Sequence, residues 1–477
     1  MTEPCELSAL EARRLIGRKR LSPIELLESC IARIEMVNAK VNAVVATCYE
    51  RARDEARAAT DAVMRGDDLG PLHGLPLGVK DLNDTEGLVT THGSPIYADN
   101  IPDKDETMVA ALRQAGAIVV GNTNTPEFGA GAHTTNPVYG TTGNPFDPSR
   151  TCGGSSGGSA VALATDMFPI CTGSDSGGSL RIPAAFSGVV AHRSTPGRVP
   201  TEKHRLGYTT FGVQGPMARS VDDTALMLSV MARFDRLDPL SGPFEDLSRS
   251  AVPDVDLGSL RVAVSDDLGF AHVDDRIRKT FHERLELFSS VFNSCTDRSP
   301  DIQTVRKTNH ILRAVQFLSR HRDHMKDNRD QLGPNVVANY EMALQLKTED
   351  VAWALEEQTN IYRRMQAFFE DVDILICPTV AAPPFPVEQR YLDEINGVKL
   401  DNYFEWLAMT WGLTIPGNPV TAIPCGLEPT GTPFSLQICG GHHEDYFVLG
   451  VAKALESLFA DNADLARPLP DIQALAA

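Results

Sequence analysis

The sequence predicts an α/β protein in which short buried strands alternate with helices. Residues 75–81, 117–121 and 168–173 are apolar runs bounded by glycine, proline or polar residues, too short for buried helices and consistent with buried strands. Between two of them, residues 105–115 read as a helix ended by Gly116. The chain has 477 residues, 42% hydrophobic and 22% charged, which is ordinary globular usage and enough for a large core. Strands alternating with helices suggest a largely parallel sheet covered on both faces.

The elements follow in order. The first 66 residues read as helical with one short strand. Ser22-Pro23-Ile24-Glu25 is a capping box with proline at the first helical position. Ile24, Leu27, Ile31 and Ile34 continue it at helical spacing. Residues 42–47 are β-rich, and residues 50–65 return to a helix pattern that stops at Gly66. Residues 233–256 are rich in Asp and Pro and read as an excursion or linker. Residues 275–370 read as long helices, with strong periodicity over 351–369. Late strands are expected at 373–378, 421–424 and 435–438, and a C-terminal helix near 446–459. No internal repeat or low-complexity tract is present.

Charge and composition exclude several function classes. Lys and Arg total 44 against 63 Asp and Glu, a net charge of −19. A chain this acidic repels phosphate backbones and anionic lipid surfaces, so neither nucleic acid nor membrane is an expected partner. No stretch approaches 18 consecutive apolar residues, so no membrane-spanning helix is expected. The first residues are charged and carry no apolar h-region, so no secretory signal is expected. Nine cysteines, scattered singly and without a Cys-x-x-Cys pair, fit a reducing cytoplasm and give no zinc ribbon.

Two long glycine-dense segments, 122–160 and 173–200, lie inside this otherwise compact pattern. Such loops are often functional. The first contains Gly153-Gly154-Ser155-Ser156-Gly157-Gly158-Ser159-Ala160. The second contains Gly173-Ser174-Asp175-Ser176-Gly177-Gly178-Ser179-Leu180-Arg181-Ile182-Pro183. Lys80 sits upstream in Gly78-Val79-Lys80-Asp81. Successive glycines let backbone N–H groups converge on an anion or oxyanion. Three chemistries compete. Gly154-Ser155-Ser156-Gly157-Gly158 matches the Gly-x-Ser-x-Gly elbow of α/β-hydrolases, which makes Ser156 a nucleophile assisted by one of several later acids and histidines (His204, His272, His442, His443). The elbow needs a strand immediately before it, whereas Pro145 and Pro148 mark a turn. A phosphate-binding reading is weaker, because no Gly-x-x-x-x-Gly-Lys-Ser/Thr occurs. The third pairs a serine nucleophile with a lysine base. No Ser-x-x-Lys exists, so that lysine must be distant in sequence.

With these motifs the chain resembles the amidase signature family. The matching residues are Gly78-Val79-Lys80-Asp81, Gly153-Gly154-Ser155-Ser156-Gly157-Gly158 and 173–183. Lys80 and Ser155 are 75 residues apart, and Ser155 and Ser179 are 24 apart. The similarity extends through 122–147, Thr195-Pro196-Gly197-Arg198-Val199, 373–379 and 413–440. The resemblance implies one large α/β domain with a central twisted mixed β-sheet flanked by α-helices. It further implies that Ser179 is the nucleophile, that Ser155 is a bridging serine after a cis peptide bond from Gly154, and that Lys80 is the ultimate base. Lys80 must then be neutral, which burial can achieve. Ser155 would relay the proton from Ser179 to Lys80 and back to the leaving amine. Backbone N–H groups of Ser176, Gly177, Gly178 and Ser179 would hold the oxyanion, one such donor being worth about 3–4 kcal/mol. Asp175 and Arg181 would brace the loop as an ion pair, with Ser156 hydrogen-bonding inside it. The implied chemistry needs no cofactor and no metal.

A serine in a glycine-rich loop is ordinarily a turn or cap residue; the three positions gain meaning by matching together. The chain departs from the family where Ala191-His192-Arg193-Ser194-Thr195 stands in place of Gly-Leu-Lys/Arg-Pro-Thr, a change read as neutral repacking. His321-Arg322-Asp323 resembles a kinase catalytic loop by chance, and His442-His443 reads as a surface pair. The resemblance implies hydrolysis of a small-molecule carboxylic amide through an acyl-enzyme, with anilides, carbamates and esters as further substrates. The acyl pocket would be walled by Phe128, Gly129, Trp406, Trp411 and Ile415, favouring an apolar or aromatic acyl group. The alternative is the glutaminase subunit of a tRNA-dependent amidotransferase, but the middle segment such subunits use for glutamine has no equivalent here. By the same resemblance, residues 1–66 form a helical arm and candidate homodimer contact, and 67–477 the amidase domain with a helical insertion at about 275–370.

Overall fold

The computed structural model describes residues 3–242 and 252–476. The strands range from apolar runs buried along their whole length, such as 76–80, 118–123 and 374–378, to partly or fully exposed ones such as 294–297 and 398–399. In chain order these are β1 (Val44–Thr47), β2 (Pro76–Lys80), β3 (Ile118–Thr123), β4 (Thr135–Asn136), β5 (Gly140–Thr141), β6 (Ile170–Asp175), β7 (Val190–Arg193), β8 (Val213–Ala218), β9 (Arg261–Val264), β10 (Ser294–Asp297), β11 (Ile374–Pro378), β12 (Glu394–Ile395), β13 (Val398–Lys399), β14 (Val420–Leu427) and β15 (Pro433–Cys439). Eleven of them form one sheet in the order β1-β3-β2-β6-β8-β7-β14-β15-β11-β9-β10. β4 pairs with β5 and β12 with β13 in two small ribbons.

The sheet is mixed rather than largely parallel. β3, β2 and β6 run parallel at one end and β10, β9 and β11 at the other, while the pairings between β6 and β11 are all antiparallel. The short connection from β14 to β15 makes a hairpin, and a hairpin forces antiparallel pairing. Helical texture between strands does not by itself fix their direction.

Helices cover both faces. The helix Pro23–Val41 begins at Ser22, whose side chain and that of Glu25 cap each other's backbone N–H. It buries Leu27, Ile31, Ile34, Val37 and Val41 in the apolar layer on one face, together with Val120, Val161, Phe168 and Cys171. The larger layer on the other face gathers Leu77, Val79, Phe186, Val262, Ile374, Phe434 and Leu455. The helix Tyr49–Arg65 stops at Gly66 in the left-handed conformation. β1 pairs antiparallel with β3, so the N-terminal segment is built into the edge of the central sheet. The stretch 275–370 holds the helices Asp275–Phe288, Val305–Asp327, Pro334–Leu344 and Thr348–Asp371, and also β10, the opposite edge strand. Of the linker expected at 233–256, residues 243–251 lie outside the described residues.

Candidate active site

β2 and β6 are parallel neighbours, so Lys80 and Asp175 sit at the same carboxyl edge of the sheet. In open α/β sheets the crevice beyond that edge is where ligands bind. The third contributor is the turn 153–156, which leads into the helix Gly157–Ala164. That helix is apolar on all sides and entirely buried, as an all-round hydrophobic helix must be. Gly158 lets its first turn reach the end of β3: a Cβ there would lie 2.2 Å from the Asn124 backbone nitrogen. The peptide bond Gly154–Ser155 is cis.

Lys80 is fully buried, and three hydroxyls surround its amine. Nζ lies 2.8 Å from Ser155 Oγ, 2.8 Å from Ser156 Oγ and 3.0 Å from Ser174 Oγ. Burial holds this amine well below the range of an ordinary lysine, with the Asp175 carboxylate pulling partly the other way. A neutral amine has two N–H donors and one lone pair, so three hydroxyl neighbours saturate it. Ser156 Oγ donates to the Ser174 carbonyl at 3.4 Å and Ser174 Oγ is a second acceptor; Ser155 is then placed to donate to the lone pair. The Lys80 backbone N–H donates to Thr172 Oγ1 at 2.8 Å, fixing the strand end. Sequence reasoning misses Ser174 in this role. The signal is the polar alternation Thr172, Ser174 in a buried strand beside the lysine.

Ser179 lies between β6 and the helix Arg181–Ser187, half-buried, in a loop organised by Asp175. Asp175 Oδ1 accepts the N–H groups of Gly177 (3.1 Å) and Gly178 (2.8 Å), and Oδ2 accepts that of Leu180 (3.2 Å). Arg181 Nε lies 3.0 Å from Oδ2, and Arg193 Nη1 lies 3.2 Å from Oδ1. Burial alone would raise this carboxyl, but the two guanidiniums hold it well below the usual carboxylate range. The expected Asp175–Arg181 pair is thus a triad. Its third member, Arg193, comes from the segment read as a departure from the family pattern. Arg181 also donates to Thr414 Oγ1 (2.8 Å) and Gln437 Oε1 (3.1 Å), and Arg193 to the carbonyls of Thr210 and Phe211. His192 in the same segment is buried, bonding Thr421 Oγ1 (2.8 Å) and Asp445 (3.2 Å).

Among the described residues, the Ser179 hydroxyl and the N–H groups of Ser176 and Ser179 have no hydrogen-bond partner. Of the four N–H groups expected to face an oxyanion, those of Gly177 and Gly178 are engaged by Asp175. Gly178 adopts φ +123°, and Thr410 Oγ1 donates to the Gly177 carbonyl at 2.8 Å. Ser156 is buried with its hydroxyl committed to Lys80 and Ser174, and coil rather than strand precedes it. Both features overturn the hydrolase-elbow reading.

A cavity of about 350 Å³ is lined by residues of 126–137, Gly333–Asn335, Arg390, Tyr391, Tyr403 and Trp406, and by none of Lys80, Ser155 or Ser179. Gly129, outside that lining, sits against the turn: a Cβ there would lie 3.3 Å from Ser155 Oγ. Of the five residues expected to wall an acyl pocket, Trp406 lines the cavity, stacked 6.3 Å from Phe186 and edge-on to Phe385. Phe128 does not line it. Its positive φ (50°) turns it into a cluster with His92, Tyr97, His321 and His324, which is also where the kinase-like His321 is buried. Trp411 packs under Gly177, its indole N–H held by the Phe404 carbonyl, and Ile415 is buried beyond it.

Residues 25–449 match the family model described as Amidase. The chain is 33% identical over 455 residues to the acylamidase of Rhodococcus erythropolis, covering 95% of each. It is 30% identical to a glutamyl-tRNA(Gln) amidotransferase subunit of Chloroflexus aurantiacus, covering 96% of this chain and 98% of that one. Its fold superposes on the crystal structure of a bacterial aryl acylamidase of the amidase signature family with a TM-score of 0.88 and 26% identity, covering 97% and 99%.

Proposed function

The chain belongs to the amidase signature family, and from that premise we propose that it hydrolyses a small carboxylic amide through an acyl-enzyme on Ser179. The single observation that carries this reading is the buried Lys80 amine, depressed by its surroundings and 2.8 Å from Ser155 Oγ. Ser179 Oγ attacks the amide carbonyl. Its proton passes to Ser155 Oγ as the Ser155 proton passes to the neutral Lys80. The tetrahedral oxyanion forms against the unengaged N–H groups of Ser176 and Ser179, with Gly177 and Gly178 shared with Asp175. Collapse breaks the C–N bond, and the amine leaves with a proton from Ser155, replenished from Lys80. Water then repeats the sequence on the ester and frees the acid. The Ser155–Lys80 transfer runs over a 2.8 Å hydrogen bond, and the Ser179–Ser155 transfer requires the two hydroxyls to come within hydrogen-bond reach in the substrate complex.

The likeness to an acylamidase and an aryl acylamidase supports an anilide-type leaving group. The test is covalent labelling with a serine-directed fluorophosphonate, mapped by peptide mass spectrometry in the wild type, Lys80→Ala and Ser156→Ala. An adduct on Ser179 that disappears in Lys80→Ala and persists in Ser156→Ala is expected. An adduct on any other serine overturns the assignment.

The 30% identity to an amidotransferase component favours a second reading, a glutaminase working within a complex. Glutamine turnover that exceeds anilide turnover and requires a partner protein would establish it instead.

A further inference from the structure

One buried carboxyl is connected to Lys80 by hydrogen bonds and has no part in the reaction above. Glu106 stands at the head of the helix Thr107–Gln114, where an acidic side chain ordinarily caps the free N–H groups. Here it makes no cap bond, and Glu202 Oε1 takes the Thr107 N–H at 2.9 Å instead. The Glu106 side chain turns inward. Its Oε1 accepts Asn83 Nδ2 at 2.5 Å, and its Oε2 accepts the Asp84 N–H at 3.2 Å. Asn83 Oδ1 accepts the Thr172 hydroxyl at 3.1 Å, and that hydroxyl accepts the Lys80 N–H at 2.8 Å. The Asn83 N–H closes a ring by donating to the Lys80 carbonyl at 2.8 Å. All four residues are buried. The chain has one direction. Thr172 receives the Lys80 N–H, so its own proton goes to Asn83 Oδ1, and that leaves Nδ2 to face the carboxyl. Among the described residues, both carboxyl oxygens meet only N–H donors, a setting that a carboxylate satisfies and an acid proton opposes.

We propose that Glu106 is a positioning residue for the base: its carboxylate holds the Asn83 amide in the orientation that, through Thr172, fixes the strand end from which the Lys80 side chain starts. This rests on the reading of Lys80 as the base. The surroundings decide when the carboxylate exists. Asp84 faces it from the segment after β2, with His92 3.6 Å beyond, and Glu202 and Lys203 face it from the loop before β8. Asp235, after the helix Val221–Met231, reaches Thr107 Oγ1 at 3.4 Å, and the adjoining Asp105 is paired with Arg113. Burial pushes the Glu106 carboxyl up to about 8, with Lys203 and Asn83 pulling down and the Glu202 and Asp84 carboxylates adding to the rise. Below that pH an acid proton sits against an N–H donor and loosens the chain; above it the chain tightens.

The test is the pH dependence of the fluorophosphonate labelling rate at Ser179 between pH 6 and 10. In the wild type an increase with a midpoint near 8 is expected, in addition to the one that Lys80 causes. Glu106→Gln keeps an acceptor for Asn83 but cannot ionise. The increase near 8 should vanish, and the rate on the alkaline side should fall about tenfold. Thr172→Val cuts the chain at its other end and should remove the same increase with Glu106 intact; the double variant should lose no more than either single one. A wild-type profile with no ionisation near 8, an increase that survives Glu106→Gln, or losses that add in the double variant would each overturn the proposal. If Thr172→Val does not fold, the wild type against Glu106→Gln decides alone. Lys80→Met labelled at the wild-type rate would instead fail the base reading.

Discussion

Replacing Lys80 by methionine removes the base while keeping an unbranched side chain of similar length. The structure sets two magnitudes. Chemically, the proton that leaves Ser179 passes beyond Ser155 to Lys80, because among the described residues Nζ is the one basic atom hydrogen-bonded to that hydroxyl. A positioned general base is worth about 10²–10⁴ in rate, so the fluorophosphonate labelling rate should fall by about 10³, equivalent to about 4 kcal/mol. In the wild type the same rate should decline as pH falls through the depressed pKa of Lys80, since the ammonium cannot accept a proton. Thermodynamically, burial holds the Lys80 pKa in the folded protein well below that of the unfolded chain, about 10.4. The unfolded state therefore binds the extra proton, and wild-type stability should rise with pH up to that point and fall as pH drops toward the folded pKa. The slope is at most about 1.4 kcal/mol per pH unit. Urea titrations of wild type and Lys80→Met at pH 8, 9 and 10 isolate it as a difference. A labelling rate within fivefold of wild type would refute the base assignment. Parallel stability curves over that pH range would refute the neutral lysine.

Two further outcomes follow from the nucleophile loop. Gly178→Ala would place Cβ 2.2 Å from Thr410 Oγ1 at φ +123°, and should cost about 1–3 kcal/mol in strain with a labelling loss of at least about 100-fold; a variant labelled at the wild-type rate would show that the loop tolerates displacement. Asp175→Asn leaves Arg181 and Arg193 buried without their carboxylate and should destabilise the fold by about 3–5 kcal/mol in urea titration. A loss under about 1 kcal/mol would mean the two guanidiniums find other acceptors.

The residues that carry the site were legible because each is announced by its neighbours. Ser155 and Ser179 stand in glycine runs, and Lys80 ends an apolar strand, so the local pattern foretold both the secondary structure and the crowding. Arg193 was not legible. Its contact with Asp175 depends on β7 lying two strands away from β6 across β8, a fact of sheet order that no local window contains. The cluster of Phe128 with His92, Tyr97, His321 and His324 was hidden as well, because it depends on the backbone angle at Phe128 and on a helix far along the chain. Strand direction escaped because spacing records length, while direction depends on how each connection crosses the sheet.

The groups that would break the bond and the surface that would select the acyl group come from separate stretches of chain. The first are strand ends and turns locked into the deepest part of the sheet; the second would come from the loops around them. This arrangement is a division of labour that makes the protein adaptable. Side chains on those loops can be exchanged without disturbing the hydroxyls around Lys80. Substrate choice is thereby free to wander across generations, or across a randomised library, while the reaction itself stays fixed.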